Sequence, residues 1–253
     1  MLLQTPVLAR VPVAVHGFTT RDGGISQGAL TSLNLALRGD ETPAALVENW
    51  RRVAGALDRS WDASRVAVLQ QVHGSAVVEV VRPGGPLAPV AEADGAWTRV
   101  PGVILAVRVA DCVPILMAAP GGVAVVHAGW RGAAAGIIGV AVERLCAGTG
   151  CEPGQLAAAI GPAISQSCFE VGPEVVTALA DTGVDPEEFA VSGPRGRPLV
   201  DLHAVVRAHL RRERVGSVDG IQACTTSDPR FYSHRRDGDR TGRQAGVIAW
   251  CPR

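Results

Sequence analysis

Two short phrases, Ala110-Asp111-Cys112 and His127-Ala128-Gly129-Trp130-Arg131-Gly132, flank a pair of apolar runs that Pro120-Gly121-Gly122 separates. The runs are Pro114 to Ala119 and Val123 to Val126. Gly-rich punctuation between β-type runs predicts an antiparallel hairpin. Antiparallel pairing returns residues after the second run to residues before the first, so Cys112 and His127 are expected to meet at one end. A thiol beside an imidazole has two chemical uses, as metal ligands or as an activated nucleophile with its base. A buried cysteine and a hydrogen-bonded histidine without a chemical task are the bland alternative.

The rest of the chain predicts a fold able to hold that end rigid. With 47% hydrophobic and 19% charged residues over 253 positions, a large core is within reach and one domain, 1–253, is expected. Val11 to Phe18 reads as a strand running into Thr19-Thr20-Arg21-Asp22-Gly23-Gly24. Thr42 caps a helix that Pro43 opens and that runs to about Leu57. Val66 to Val72 reads as a strand ending in His73-Gly74, with Val77 to Val81 as its partner. Ala91 to Asp94 forms a loop before Gly95-Ala96-Trp97, and Val103 to Val109 precedes the hairpin. Arg131 to Cys146 reads as one helix closed by Gly148. Leu156 to Ile160 is a strand, Pro173 to Leu179 a helix, and Asp201 caps a helix to about Arg214. Ile221 to Thr226 and Ala245 to Trp250 are the last strands, and Val184 to Pro198 is a surface excursion. The expected class is α/β (α+β), with mixed β-sheets flanked by helices.

Charge and composition exclude several functions. All 24 basic residues are arginine, and 24 acidic residues balance them, so no field for bulk nucleic-acid binding exists. Without lysine the chain can build neither a Schiff base nor a standard P-loop. Any bound phosphate must rest on arginine forks, backbone amides or helix ends. No apolar run is long enough to span a membrane. Met1 to Ala14, with Arg10 and two prolines, does not read as a signal peptide, so a cytoplasmic location is expected. None of the six cysteines (112, 146, 151, 168, 224, 251) is spaced C-x-x-C, which argues against a zinc ribbon and against a disulfide framework. Cys146 and Cys151 read as packing residues.

Three polar residues sit at the ends of apolar strands: His73, Cys112 and His127. Two imidazoles and a thiolate make three ligands of a tetrahedral zinc site and leave the fourth position for water or substrate, which is the catalytic pattern. Arg131, at a helix start, and Arg21, in a Gly-rich loop, are candidate anion binders. Asp94 and Asp111 are either loop caps or acceptors that orient a ligand histidine. His203 and His209 read as structural, and His16 has no assigned role. Gly24-Ile25-Ser26-Gln27-Gly28 matches G-x-S-x-G but lacks the strand before and helix after that a nucleophile elbow needs. Multicopper oxidation needs many histidines, commonly in His-x-His pairs. Six histidines with no such pair cannot supply it, although copper could occupy the same three ligands.

These phrases carry a family likeness. The chain resembles the YfiH-like family, also called the laccase-domain or multicopper polyphenol oxidase family, nearly end to end. The likeness rests on His16-Gly17-Phe18-Thr19-Thr20-Arg21, Gln71-Val72-His73-Gly74, Ala93-Asp94-Gly95, Ala110-Asp111-Cys112 and the His127 to Gly132 phrase. It continues in Ile160-Gly161-Pro162, Cys168-Phe169-Glu170-Val171-Gly172, Arg235-Arg236-Asp237 and Thr241-Gly242-Arg243-Gln244. The resemblance implies zinc on His73, Cys112 and His127, and a fold shared with toxins that deamidate glutamine through a Cys-His pair. It implies phosphorolysis of adenosine, inosine and S-methyl-5′-thioadenosine, with adenosine deamination as a side activity. The partners so implied are a purine nucleoside and phosphate; Arg21 and Arg131 are the residues expected on the phosphate, Cys112 and His127 are expected at the reacting centre, and a monomer is expected. Some relatives are described as editing peptidoglycan precursors, so Cys112 as nucleophile with His127 as base is the second reading. One departure stands out, because His234 occupies the position where an aromatic residue is expected to stack on the base.

Overall fold

The computed structural model describes residues 2–11 and 13–251. The first elements are β1 (Leu2–Leu3), α1 (Pro6–Ala9), β2 (Ala14–Thr19), α2 (Pro43–Leu57), β3 (Val66–Val68), β4 (Val77–Glu79), β5 (Gly95–Thr98) and β6 (Ile104–Val109). The hairpin β7 (Val113–Ala119) and β8 (Gly122–Ala128) follows, then α3 (Trp130–Ala134), α4 (Ile137–Thr149), β9 (Ala157–Ile160) and α5 (Pro173–Ala180). The chain closes with α6 (Pro186–Phe189), β10 (Ala190–Ser192), β11 (Pro198–Val200), α7 (Leu202–Arg212), β12 (Ser217–Gly220), α8 (His234–Asp237) and β13 (Gln244–Trp250). No helix among the described residues is long and apolar enough to cross a membrane.

Two sheets stack face to face with helices outside them. One has five strands in the order β1-β2-β13-β6-β3, the other six in the order β12-β9-β7-β8-β5-β4, and both mix parallel and antiparallel pairs. Side-chain alternation assigns the layers. Leu105 and Val107 of β6 and Ile248 of β13 meet Leu116, Ala118, Val123 and Val125 of the hairpin in a core between the sheets. The opposite faces take the helices. Ile104, Ala106 and Val247 pack on Leu46, Trp50 and Val53 of α2. Ile115, Met117 and Val126 pack on Ile138, Val142 and Leu145 of α4. Strands buried on both faces are apolar throughout, which is why β7 and β8 read as unbroken apolar runs.

The hairpin forms as the sequence predicts, with Val113 opposite Ala128 and Pro114 opposite His127. Helix α2 also matches its signals: the Thr42 hydroxyl accepts the Ala45 N–H and Pro43 occupies the first turn. The strand expected over Val11 to Phe18 runs from Ala14 to Thr19, and Pro12 lies outside the described residues.

Other expectations are corrected. Val77 to Val81 does not pair with the Val66 strand. β3 pairs parallel with β6 in one sheet and β4 pairs parallel with β5 in the other, so the His73-Gly74 turn carries the chain between sheets. Parallel partners are joined by crossovers and leave no hairpin signal at either strand. The helix expected from Arg131 to Cys146 is two helices, because Gly136 adopts φ +79° and starts α4 on a new axis. It ends at Gly150, whose N–H donates to the Cys146 carbonyl at 2.8 Å, rather than at Gly148, which lies inside α4 against the Trp97 ring. The strand near Ile221 is shifted back to Ser217–Gly220, where it extends the sheet beside β9. Val184 to Pro198 is not purely a surface excursion, since it contains α6 and β10, leads into β11, and buries Phe189 completely.

Candidate metal centre

Cys112 immediately precedes β7 and His127 lies in the last turn of pairing on β8, so the hairpin register alone sets them side by side. His127 belongs to the face of β8 that carries Val123 and Val125 and therefore looks toward the other sheet. From that side comes His73, on the turn after β3. The ligand atoms of His73, Cys112 and His127 all lie within 4.8 Å of one another, and the two imidazole rings meet edge to face at 4.8 Å. The three residues pass from exposed through half-buried to buried in that order, so the cluster opens at the His73 side.

One carboxylate fixes both histidines. Asp94 is fully buried. Its Oδ1 accepts from His127 Nδ1 at 2.7 Å and from the His73 N–H at 3.0 Å. Its Oδ2 accepts the N–H groups of Val72 and Gly74 at 3.1 and 2.7 Å. These bonds hold the turn in which His73 takes φ +60°, a conformation that costs a non-glycine residue energy and persists only where the surroundings enforce it. Because Nδ1 of His127 faces a carboxylate, its Nε2 is the nitrogen left for a ligand.

Gly129 leaves the room. A Cβ there would lie 3.0 Å from Cδ2 of His73 and 3.2 Å from the Cys112 sulfur. The donor set of two nitrogens and one sulfur, the bond holding the ring tautomer and the space beside them all fit a tetrahedral ion with one open corner.

Charge is tuned within the cluster. Burial pushes the Cys112 thiol up, but the His127 imidazolium and hydrogen bonds from both histidines outweigh it and bring the thiol down to about 6. Burial alone would depress His127, yet the Cys112 thiolate and Asp94 raise it to about 9. Without an ion, the pair rests as thiolate and imidazolium. Asp94 itself is held below the usual carboxylate range, its desolvation outweighed by the hydrogen bonds from His127 and the Gly74 N–H.

The cluster forms the floor of a cavity of about 600 Å³. Arg131 lines it, with its guanidinium 4.3 Å above the Trp130 ring. His234 lines it at the start of α8, 3.9 Å from Asp239. Arg21 does not line it. Its Nε donates to the Thr31 carbonyl at 2.8 Å and its guanidinium lies over the Tyr232 ring, so the structure does not bring it to the cavity beside Arg131. Asp111 touches no histidine either. Itself at φ +98°, it accepts from the Thr225 hydroxyl at 2.6 Å and the Arg235 N–H at 2.7 Å, tying the Cys112 turn to the Thr225 loop and to α8.

The unassigned His16 is buried, and its Nε2 accepts the Thr5 N–H at 3.1 Å. His203 and His209 bond to Gly161 and Thr182, in agreement with structural roles. The sequence reading missed Arg38, Arg108, Arg235 and Arg243, which line the cavity. Arg108 did carry a signal, as the one charged residue in the apolar strand β6.

Residues 15–251 match the model of a family described as multi-copper polyphenol oxidoreductase laccase. A purine nucleoside phosphorylase of Pseudomonas aeruginosa is 39% identical over 247 residues, covering 96% of this chain and 95% of that one. A purine nucleoside phosphorylase of Deinococcus radiodurans is 39% identical over 249 residues, covering 98% and 92%. The crystal structure of YlmD from Geobacillus stearothermophilus superposes with a TM-score of 0.89 at 34% identity, covering 98% of this chain and 94% of that one.

Proposed function

The chain belongs to the multi-copper polyphenol oxidoreductase laccase family, and we propose that within it this protein is a zinc-dependent purine nucleoside phosphorylase. Its proposed substrates are adenosine, inosine and S-methyl-5′-thioadenosine. The observation that carries the reading is the three-donor cluster at the floor of an arginine-lined cavity large enough for a nucleoside with phosphate beside it. The names of the relatives support the same reaction.

Phosphorolysis breaks the bond from C1′ to the purine nitrogen and forms one from C1′ to a phosphate oxygen. Phosphate must be held close to the sugar and the leaving base must be stabilised. His73, Cys112 and His127 would hold the zinc, which when bound would supply a Lewis acid. Asp94 orients His127 and the His73 turn, and Arg131 adds positive charge at the cavity wall. His234 offers a face for the base where an aromatic ring was expected. The six free thiols suit a reducing compartment and support a cytoplasmic site of action. Among the described residues no second His/Cys/Asp/Glu cluster of metal-ligand geometry exists, so a trinuclear copper cluster has no place to form and copper would have only these same three ligands.

The test is incubation of the pure protein with adenosine, with and without phosphate. Adenine and ribose 1-phosphate formed only with phosphate are expected. Inosine as the sole product, or no turnover, overturns the reading. A second reading draws on the chain Cys112, His127, Asp94, which has the thiolate, base and orienting carboxylate of an amide hydrolase. Since a metal-bound sulfur is a poor attacker, stoichiometric zinc in protein purified without added metal favours the phosphorylase. A Cys112 acyl adduct favours the hydrolase.

A further inference from the structure

Three arginines from separate segments converge on the side of the cavity built by the five-stranded sheet. Arg108 lies on β6, and Arg243 stands one residue before β13. The register sets Ala245 opposite Arg108, so Arg243 and Arg108 are diagonal neighbours on one face. Arg38, on the loop before α2, completes the group. Like charges at such positions repel one another, and more strongly where water is partly excluded.

Two carboxylates, Asp111 and Asp239, line the same cavity, but neither pairs with Arg108 or Arg243. Among the described residues, neither Arg108 nor Arg243 forms a salt bridge, and Arg38 reaches only the exposed Asp239 at 4.0 Å. Instead, backbone carbonyls pin the guanidinium groups. Nη2 of Arg108 donates to the Leu69 carbonyl at 2.7 Å. Nη1 of Arg243 donates to the Gly242 carbonyl at 2.9 Å. Gln71 clasps the Arg108 backbone from both sides, its Oε1 accepting the N–H at 2.8 Å and its Nε2 donating to the carbonyl at 2.9 Å. The remaining donors, Nε and Nη1 of Arg108 and Nε and Nη2 of Arg243, have no hydrogen-bond partner among the described residues, and both arginines line the cavity. Burial pushes both arginines below their usual range, with Arg38 adding to the effect, as expected of cations held close without a counterion.

Pinned guanidinium forks with free donors and unneutralised charge form a seat for a small tetrahedral dianion. We propose that Arg38, Arg108 and Arg243 together bind inorganic phosphate, the co-substrate of the reaction proposed above, on whose reading this assignment rests. Arg243 and Arg108 line the same cavity as His73, Cys112 and His127, so a phosphate on these arginines would share that cavity with the cluster.

The test is direct phosphate binding to the purified protein by calorimetry, without nucleoside, followed by steady-state phosphorolysis. R108Q and R243Q are each expected to weaken phosphate binding roughly tenfold to a hundredfold, the range of a lost charge-assisted hydrogen bond. R38Q, at the cavity rim, is expected to weaken it roughly threefold, as for a solvent-exposed ion pair, and keeps the test alive should a buried variant fail to fold. R51Q, on the exposed face of α2, serves as the folded control. In turnover the loss is expected in KM for phosphate, with KM for nucleoside unchanged.

If the affinity stays at the wild-type value in R38Q, R108Q and R243Q while R131Q abolishes it, the seat is elsewhere and the proposal fails. A loss confined to KM for nucleoside also overturns it. Phosphate binding that depends on the three arginines in a protein that phosphorolyses no nucleoside keeps the seat and removes the phosphorylase reading.

Discussion

The six-stranded sheet and the five-stranded sheet contribute opposite chemistry to one cavity. From the first come Cys112 and His127, soft donors at the open end of a hairpin buried on both faces. From the second come Arg108 and Arg243, hard cations at strand ends, with His73 reaching across on the turn after β3. The donor side is fixed by the hairpin pairing and by the four hydrogen bonds to Asp94. The cationic side is held by one hydrogen bond from Arg108 and two from Arg243, all to backbone carbonyls. Precision is concentrated where an ion needs fixed geometry, and charge where an anion only needs attraction.

The sharpest way to break this division is Cys112→Ala. It should remove zinc and turnover while leaving the fold and phosphate affinity in place, read by metal analysis, near-ultraviolet dichroism and calorimetry. Loss of phosphate binding in that variant would mean the two sides are one site. Next is Asp94→Asn, which keeps the shape but turns an acceptor toward donor into a donor toward donor. Zinc affinity should fall roughly 10–100-fold, the range for loss of an outer partner of a ligand histidine. Unchanged affinity in a competition assay would show that the two histidines hold their places without the carboxylate.

The third test is pH. The metal-free protein holds Cys112 as thiolate above about 6 and His127 as imidazolium below about 9. An ion must displace the His127 proton, so one proton leaves per ion between those limits and affinity falls about tenfold for each pH unit downward. Below about 6 the thiol protonates as well and the slope steepens. A flat affinity from 6 to 9 would contradict the thiolate–imidazolium pair.

The smallest effect lies far from the cavity, at His16. Burial lowers its pKa to about 4, so the stability it contributes is complete above the unfolded value near 6.5 and is lost as pH falls toward 4. His209, depressed first by burial and then by Arg212, adds to the same window. His16→Gln should therefore flatten the acid side of the stability curve in part, measured by denaturant melts from pH 7 to 4.

Much of this was legible in the chain because the signals were local. Pro120-Gly121-Gly122 announces the hairpin, and Thr42-Pro43 the start of α2. His73, Cys112 and His127 stand out as polar residues at apolar strand ends, and the structure gathers all three. What escaped was non-local. β3 and β4 enter different sheets through parallel pairs that no turn specifies. Gly136 breaks a helix in a stretch where several glycines are tolerated, and only its positive φ distinguishes it. Arg21 and Arg243 are equally plain in sequence. Tyr232 and Thr31 occupy the first, while strand pairing aims the second at the cavity.

The single oxygen Oδ1 of Asp94 serves both histidines, one through its ring and one through its main chain. The two are therefore mechanically geared. Anyone re-engineering metal preference by placing a thiolate or carboxylate at position 127 would set two anions against each other at Asp94. The oxygen that holds the main chain of His73 would be disturbed in the same stroke. Retuning this centre calls for changes at 73, 94 and 127 made together.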